Sequence, residues 1–145
     1  SVKEETINPV VTYNFMQAAS NLERMADHAS KIAKISSQND YDLPADMIDE
    51  LSKLGSVFAS LIDEAISVLI HADSEKANEL IDKTNEVKRQ SMNMVNLSQE
   101  QNRDEMLVKL VIANSIERML DYIINIAELA INMHSADLEN EVTRE

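Results

Sequence analysis

The sequence predicts an all-α fold: an antiparallel up-down-up-down bundle of four long helices. Three observations carry this expectation. One glycine, two prolines and no tryptophan leave few of the residues that strands and tight hairpins need, whereas Ala, Leu, Ile, Met, Glu and Lys are abundant. Apolar residues recur in alternating steps of three and four along four long stretches, the period of a helix seam. The stretches between them are short to moderate, which favours antiparallel neighbours.

Asn8 followed by Pro9 is a helix-start signal, because an Asn side chain caps free N–H groups and proline suits the first helical position. Helix A then carries the seam Phe15, Ala18, Leu22, Met25, Ala29, Ile32 and ends in the polar run from Ser36 to Asp40. Pro44 opens helix B, with Asp46, Asp49 and Glu50 at its positive end and the seam Met47, Leu51, Leu54, Phe58, Leu61, Ala65, Val68. Gly55 falls on its outer surface. His71 to Ser74 is a short connection, so helix C folds back, capped by Asp73 or Ser74. Its seam is weak, through Ala77, Leu80 or Ile81, Thr84, Val87, Ser91 and Met94, which places it at the edge. Gln99 to Arg103 connect to helix D, about Asp104 to Met133, the most apolar of the four and the expected centre. Ser135 to Glu145 carries four acids with little periodicity and reads as frayed.

Residues 1–145 therefore read as one domain, with 1–7 and 135–145 as flexible tails. Twenty-six acids against thirteen Lys plus Arg give a net charge of -13, which repels nucleic-acid phosphates and anionic lipid and favours cations and basic protein surfaces. The expected partners thus exclude direct nucleic acid, and a membrane is reached only through another protein. No cysteine is present, which removes disulfides and thiolate metal sites and suits a cytoplasmic location. Charges at Lys109, Glu117, Arg118, Asp121 and Glu128 interrupt the most apolar stretch, so no membrane span is expected. The chain starts at Ser1 with its first helix under way by residue ten, which reads as a fragment of something longer.

The sequence is internally repeated. Ala19-Ser-Asn-Leu-Glu-Arg-Met-Ala-Asp27 aligns with Ala113-Asn-Ser-Ile-Glu-Arg-Met-Leu-Asp121, and Ile32-Ala33 with Ile126-Ala127. Positions four apart lie one above the other on a helix, so Glu23 with Asp27, and Glu117 with Asp121, form two carboxylate pairs. Each pair is mutually repulsive by a few tenths of a kcal/mol when exposed, roughly, and a hard cation would turn that repulsion into chelation. An isolated Glu-x-x-x-Asp pair is ordinarily a solvated face. Recurrence of both acids in a duplicated helix favours a site as strongly as a surface. The wheel sets them beside the apolar seam, near the small residues Ala19, Ala26 and Ser30, or Ala113 and Ala127.

Leu22-Glu-Arg-Met-Ala-Asp-His-Ala-Ser-Lys-Ile-Ala33 and Ile116-Glu-Arg-Met-Leu-Asp-Tyr-Ile-Ile-Asn-Ile-Ala-Glu128 resemble the signature helices of the PhoU family of phosphate-uptake regulators. The resemblance is sharp in helices A and D and generic in B and C. It implies a PhoU-like bundle in which this chain corresponds to the last helix of repeat one and all of repeat two. It also implies a non-enzymatic regulator that contacts a phosphate transporter ATPase or a signalling kinase, works as a homodimer, and binds a metal ion or multinuclear cluster of iron, zinc, magnesium or manganese. On helix D, Glu117, Asp121 and Glu128 are the candidate ligands, with Glu23 and Asp27 as the second, weaker set. Lys31 and Lys34 replace the continuing stripe on helix A, where Lys31 is placed to pair with Asp27. The glycine that usually precedes the second acid is here Ala26 or Leu120.

His28, His71 and His134 each stand alone, and none forms a Glu-x-x-His pair, which argues against a ferritin-like di-iron centre. His28-Ala-Ser-Lys31 supports an alternative, a histidine phosphotransfer bundle, although Ile32 stands where such domains carry a small glycine. A purely structural helical adaptor is the third alternative. The methionines read as core filling, and no phosphate-cradling glycine loop or Ser-His-Asp arrangement can be assembled.

Overall fold

A computed structural model describes residues 8–38, 43–93 and 103–143, and all four expected helices form: α1 (Pro9–Gln38), α2 (Ala45–Ile70), α3 (Ser74–Asn93) and α4 (Arg103–Thr143). No strand occurs among the described residues. The start signals act as expected. Asn8 Oδ1 accepts from the Val10 N–H at 3.0 Å, and Asp73 Oδ1 accepts from the Lys76 N–H at 3.0 Å, so Asp73 rather than Ser74 caps α3.

The turn between α2 and α3 is tight. Asp73 N–H donates back to the Val68 carbonyl and Ala72 N–H to the Leu69 carbonyl, the paired bonds of a Schellman ending, and Ala72 sits at φ 47° in the left-handed region. Two residues of turn fold α3 directly back on α2.

α4 is the centre. α2, α3 and α4 pack against one another, and α1 lies along α4 with at most marginal contact to the other two. Asn21 with Asn125 and His28 with Ser115 run in opposite chain directions, which makes α1 and α4 antiparallel. The core follows: Leu61, Ile112, Ile116, Leu120, Ile123 and Ile126 are fully buried. The α2 seam is as read, with Leu51 only partly buried, and Gly55 faces open space. In α3, Ala77, Leu80, Thr84 and Ser91 are buried and Val87 half-buried, and Met94 lies outside the described residues.

Two expectations change. On α1, Phe15 and Ala29 are exposed, while Asn14, Ala18, Asn21 and Met25 are buried. The line of contact thus runs one step from the most apolar one, because α1 packs mainly on α4 through a seam that accepts amides. On α4, the helix continues ten residues past Met133 to Thr143. That segment contains no proline or glycine to stop it, so weak periodicity removes its burial without ending the helix; Leu138 and Val142 on it are exposed. Residues 1–7 lie outside the described ones.

Candidate functional site

The helix D acids fall one turn apart on α4, as the spacing requires, but a third side chain reaches them. Lys88 of α3 places Nζ 2.8 Å from Asp121 Oδ1 and 3.7 Å from Glu117 Oε1. The lysine is the more sheltered partner, 28% exposed against 41% for Asp121 and 44% for Glu117. Its hydrogen bond to Asp121, opposed by desolvation and reinforced by the charges of Asp121 and Glu117, holds the Lys88 pKa above its ordinary value. The repulsion built into the Glu-x-x-x-Asp pair is thus relieved by an ammonium group from the neighbouring helix.

The α1 pair has no such neighbour. Glu23 and Asp27 are exposed, as are Ala19, Ala26 and Ser30 around them, so the wheel placement beside the seam does not hold there. Among the described residues neither acid forms a hydrogen bond or an ion pair, and Lys31 does not close on Asp27.

Glu128 is exposed and stands seven residues beyond Asp121, about 10 Å along the helix, too far to share one ion with it. Among the described residues no three acids or histidines are grouped as a metal requires. Glu117 and Asp121 by themselves offer two carboxylates with an ammonium between them. This donor set does not fit a self-contained metal centre, since a hard divalent ion takes six or more oxygens and would first have to displace Lys88.

The α1–α4 seam holds a cluster that reading each helix alone missed. Tyr122, buried on α4, has the Arg24 guanidinium 6.0 Å and the Arg118 guanidinium 5.8 Å from its ring centroid, and Arg118 Nη2 donates to its hydroxyl at 3.5 Å. His28 stacks at a tilt 6.0 Å from the same ring, and its Nδ1 lies 3.3 Å from the fully buried Ser115 Oγ. Burial, then Lys31 and Arg118, push the His28 pKa below 6.5, with Asp27 opposing. Asn125 Nδ2 donates to Asn21 Oδ1 at 3.2 Å. The available signal was the repeat itself: Asn21, Arg24 and His28 on α1 are the equivalents of Ser115, Arg118 and Tyr122 on α4. His71 is spent locally, with its Nδ1 2.8 Å from the Ser67 carbonyl.

No curated protein and no solved structure matches the chain. A family model does: the PhoU domain model covers residues 51–130, more than half of the chain, from the first turns of α2 through the acidic stripe of α4. The matched segment contains Lys88, Glu117 and Asp121 and leaves α1 outside. With the helical architecture and the repeated Glu-Arg-Met-x-Asp segment, this match establishes that the chain belongs to the PhoU family.

Proposed function

We propose that this chain regulates phosphate uptake without catalysing a reaction, by docking in the cytoplasm on a transporter ATPase or a signalling kinase through its acidic helix faces. The PhoU domain match over residues 51–130 carries the reading. It is supported by the outward-facing pair Glu23 and Asp27, which is exposed and unpaired among the described residues in a chain of net charge -13. Such a pair suits a basic protein surface, whose approach removes the like-charge repulsion. Co-purification with the transporter ATPase and the kinase, in cells whose phosphate uptake is followed in parallel, tests it. Glu23→Lys with Asp27→Lys should lose the partner and deregulate uptake. Uptake unchanged in cells lacking the protein rejects the regulatory role.

A second reading concerns metal. Glu117 and Asp121 already hold a cation, Lys88, and this favours them over Glu23 and Asp27 as ligands. We infer that iron, zinc, magnesium or manganese binds there only with Lys88 displaced, and with further oxygens from a partner or from a second copy in a homodimer. Lys88→Met should raise the metal content of the purified protein, and Glu117→Ala with Asp121→Ala should abolish it. Equal metal content in all three proteins removes the site.

A further inference from the structure

Two rows of side chains run along the α1–α4 seam: Asn21, Arg24, His28 and Lys31 on α1, and Ser115, Arg118, Tyr122 and Asn125 on α4. Each step is three or four residues, so each row is straight along its helix. The rows are equivalent, position by position, under the internal repeat. Two antiparallel helices that are copies of one another are related by a two-fold axis perpendicular to the plane they share, and such an axis keeps equivalent side chains on the same side of that plane. Both rows therefore lie on one side, with Asn21, Ser115 and Tyr122 buried and Arg24, Lys31 and Arg118 exposed, and their contacts agree: His28 meets Ser115, Asn21 meets Asn125, and Arg24 and Arg118 meet Tyr122.

The charge of these rows opposes that of the molecule. They carry Arg24, Lys31 and Arg118 and no acid, while Glu23, Asp27, Glu117 and Asp121 lie within one turn of the arginines on the same helices. Over the whole chain acids outnumber Lys and Arg two to one. Arg24 and Arg118 are exposed, and among the described residues neither forms an ion pair. Both guanidiniums instead lie by the Tyr122 ring, a cation–π arrangement that holds the planar forks in place with N–H groups left over.

We propose that this seam binds a tetrahedral oxyanion of the phosphate class, with Arg24 and Arg118 donating to its oxygens and the Tyr122 hydroxyl and Lys31 beside them. Guanidinium forks match the oxygen spacing of phosphate better than that of a spherical halide, and forks already held against a ring lose little freedom on binding. Glu23, Asp27, Glu117 and Asp121 lie within one turn of these arginines, so the attraction comes from direct hydrogen bonds to the two guanidiniums and not from the surrounding field. The proposal is independent of the docking and metal readings above, which use the outward acids.

Free phosphate and a phosphate monoester share this chemistry, and the experiment separates the two sources. Inorganic phosphate and O-phosphoserine are titrated separately into the full chain at constant ionic strength, with sodium chloride as the reference, while the Nε–H resonances of Arg24 and Arg118 are followed by NMR. Saturable shifts with either phosphate compound, absent with chloride, are expected, and the compound that saturates first names the source. Arg24→Gln with Arg118→Gln should weaken binding at least about tenfold, as loss of charged hydrogen bonds implies. Circular dichroism establishes that this variant remains helical. Lys53→Gln with Lys83→Gln, which removes the same charge from α2 and α3, should leave binding within about twofold. Shifts shared equally by chloride, no saturation with either compound, or equal weakening by the two double variants would each overturn the site.

Discussion

Ala72 and Gly55 occupy positions each would suit in exchange. Ala72 adopts φ 47°, where a Cβ crowds the following carbonyl, and closes a Schellman turn whose usual residue is glycine. Gly55 sits inside α2 with nothing within 4 Å of the place a Cβ would take, so it loses backbone freedom for no packing reason. Ala72→Gly and Gly55→Ala should each stabilise the fold by about 1 kcal/mol, seen as a higher urea midpoint with an unchanged slope. His28 gives a prediction of pH dependence. Its folded pKa lies below 6.5, chiefly through burial, so below that pH the unfolded chain binds the proton more readily. The stabilisation is complete above 6.5 and is lost as the pH falls through the lowered folded value. Between about pH 7.5 and about pH 5 the urea midpoint should therefore drop further for the natural protein than for His28→Gln, whose side chain does not titrate.

At the scale of elements, α3 is held to α4 by charge as well as by packing. Lys88 bridges Asp121 and Glu117, and because all three are partly exposed the coupling is discounted for solvent screening. A double-mutant cycle of Lys88→Met and Asp121→Asn should return about 0.5–1 kcal/mol at low salt, shrinking as salt is added; a coupling near zero would make the lysine a bystander. The same bridge marks where sequence reading stops. α2 was legible almost residue by residue, since it packs on both α3 and α4 and its seam is written in Met, Leu, Phe and Ala. α1 was legible as a helix but not in its facing: it packs mainly on α4, so Asn14 and Asn21 are buried while Phe15 looks out, and hydrophobicity misjudges a seam built from amides, arginines and a tyrosine. The acids Glu117 and Asp121 stood out because their partner is in the same helix, four residues away. Lys88 did not, because only the fold brings α3 to them.

At the scale of the whole molecule, the net charge of -13 acts on a helical body in which Glu23, Asp27, Asp49, Glu50, Glu79, Asp82 and Glu86 all face water. Folding concentrates these charges, so their mutual repulsion is greater in the bundle than in the expanded chain. Salt screens exposed charges over a Debye length of about 10 Å at 0.1 M, and this lowers the repulsion more in the folded state. The opposing effect is the loss of attractive pairs. Among the described residues most of these are exposed, such as Lys53 with Glu50 and Lys83 with Glu64, each contributing roughly 0–1 kcal/mol, and Lys109 with Glu105 is more sheltered. Repulsion among an excess of thirteen acids outweighs them, so the melting temperature should rise between about 0.02 M and about 0.3 M sodium chloride and then level off as the Debye length falls below the spacing of neighbouring charges. Potassium chloride should act alike, because screening depends on ionic strength and not on the identity of the cation. A melting temperature that falls over this range would mean that the Lys88 bridge and the surface pairs together outweigh the excess negative charge.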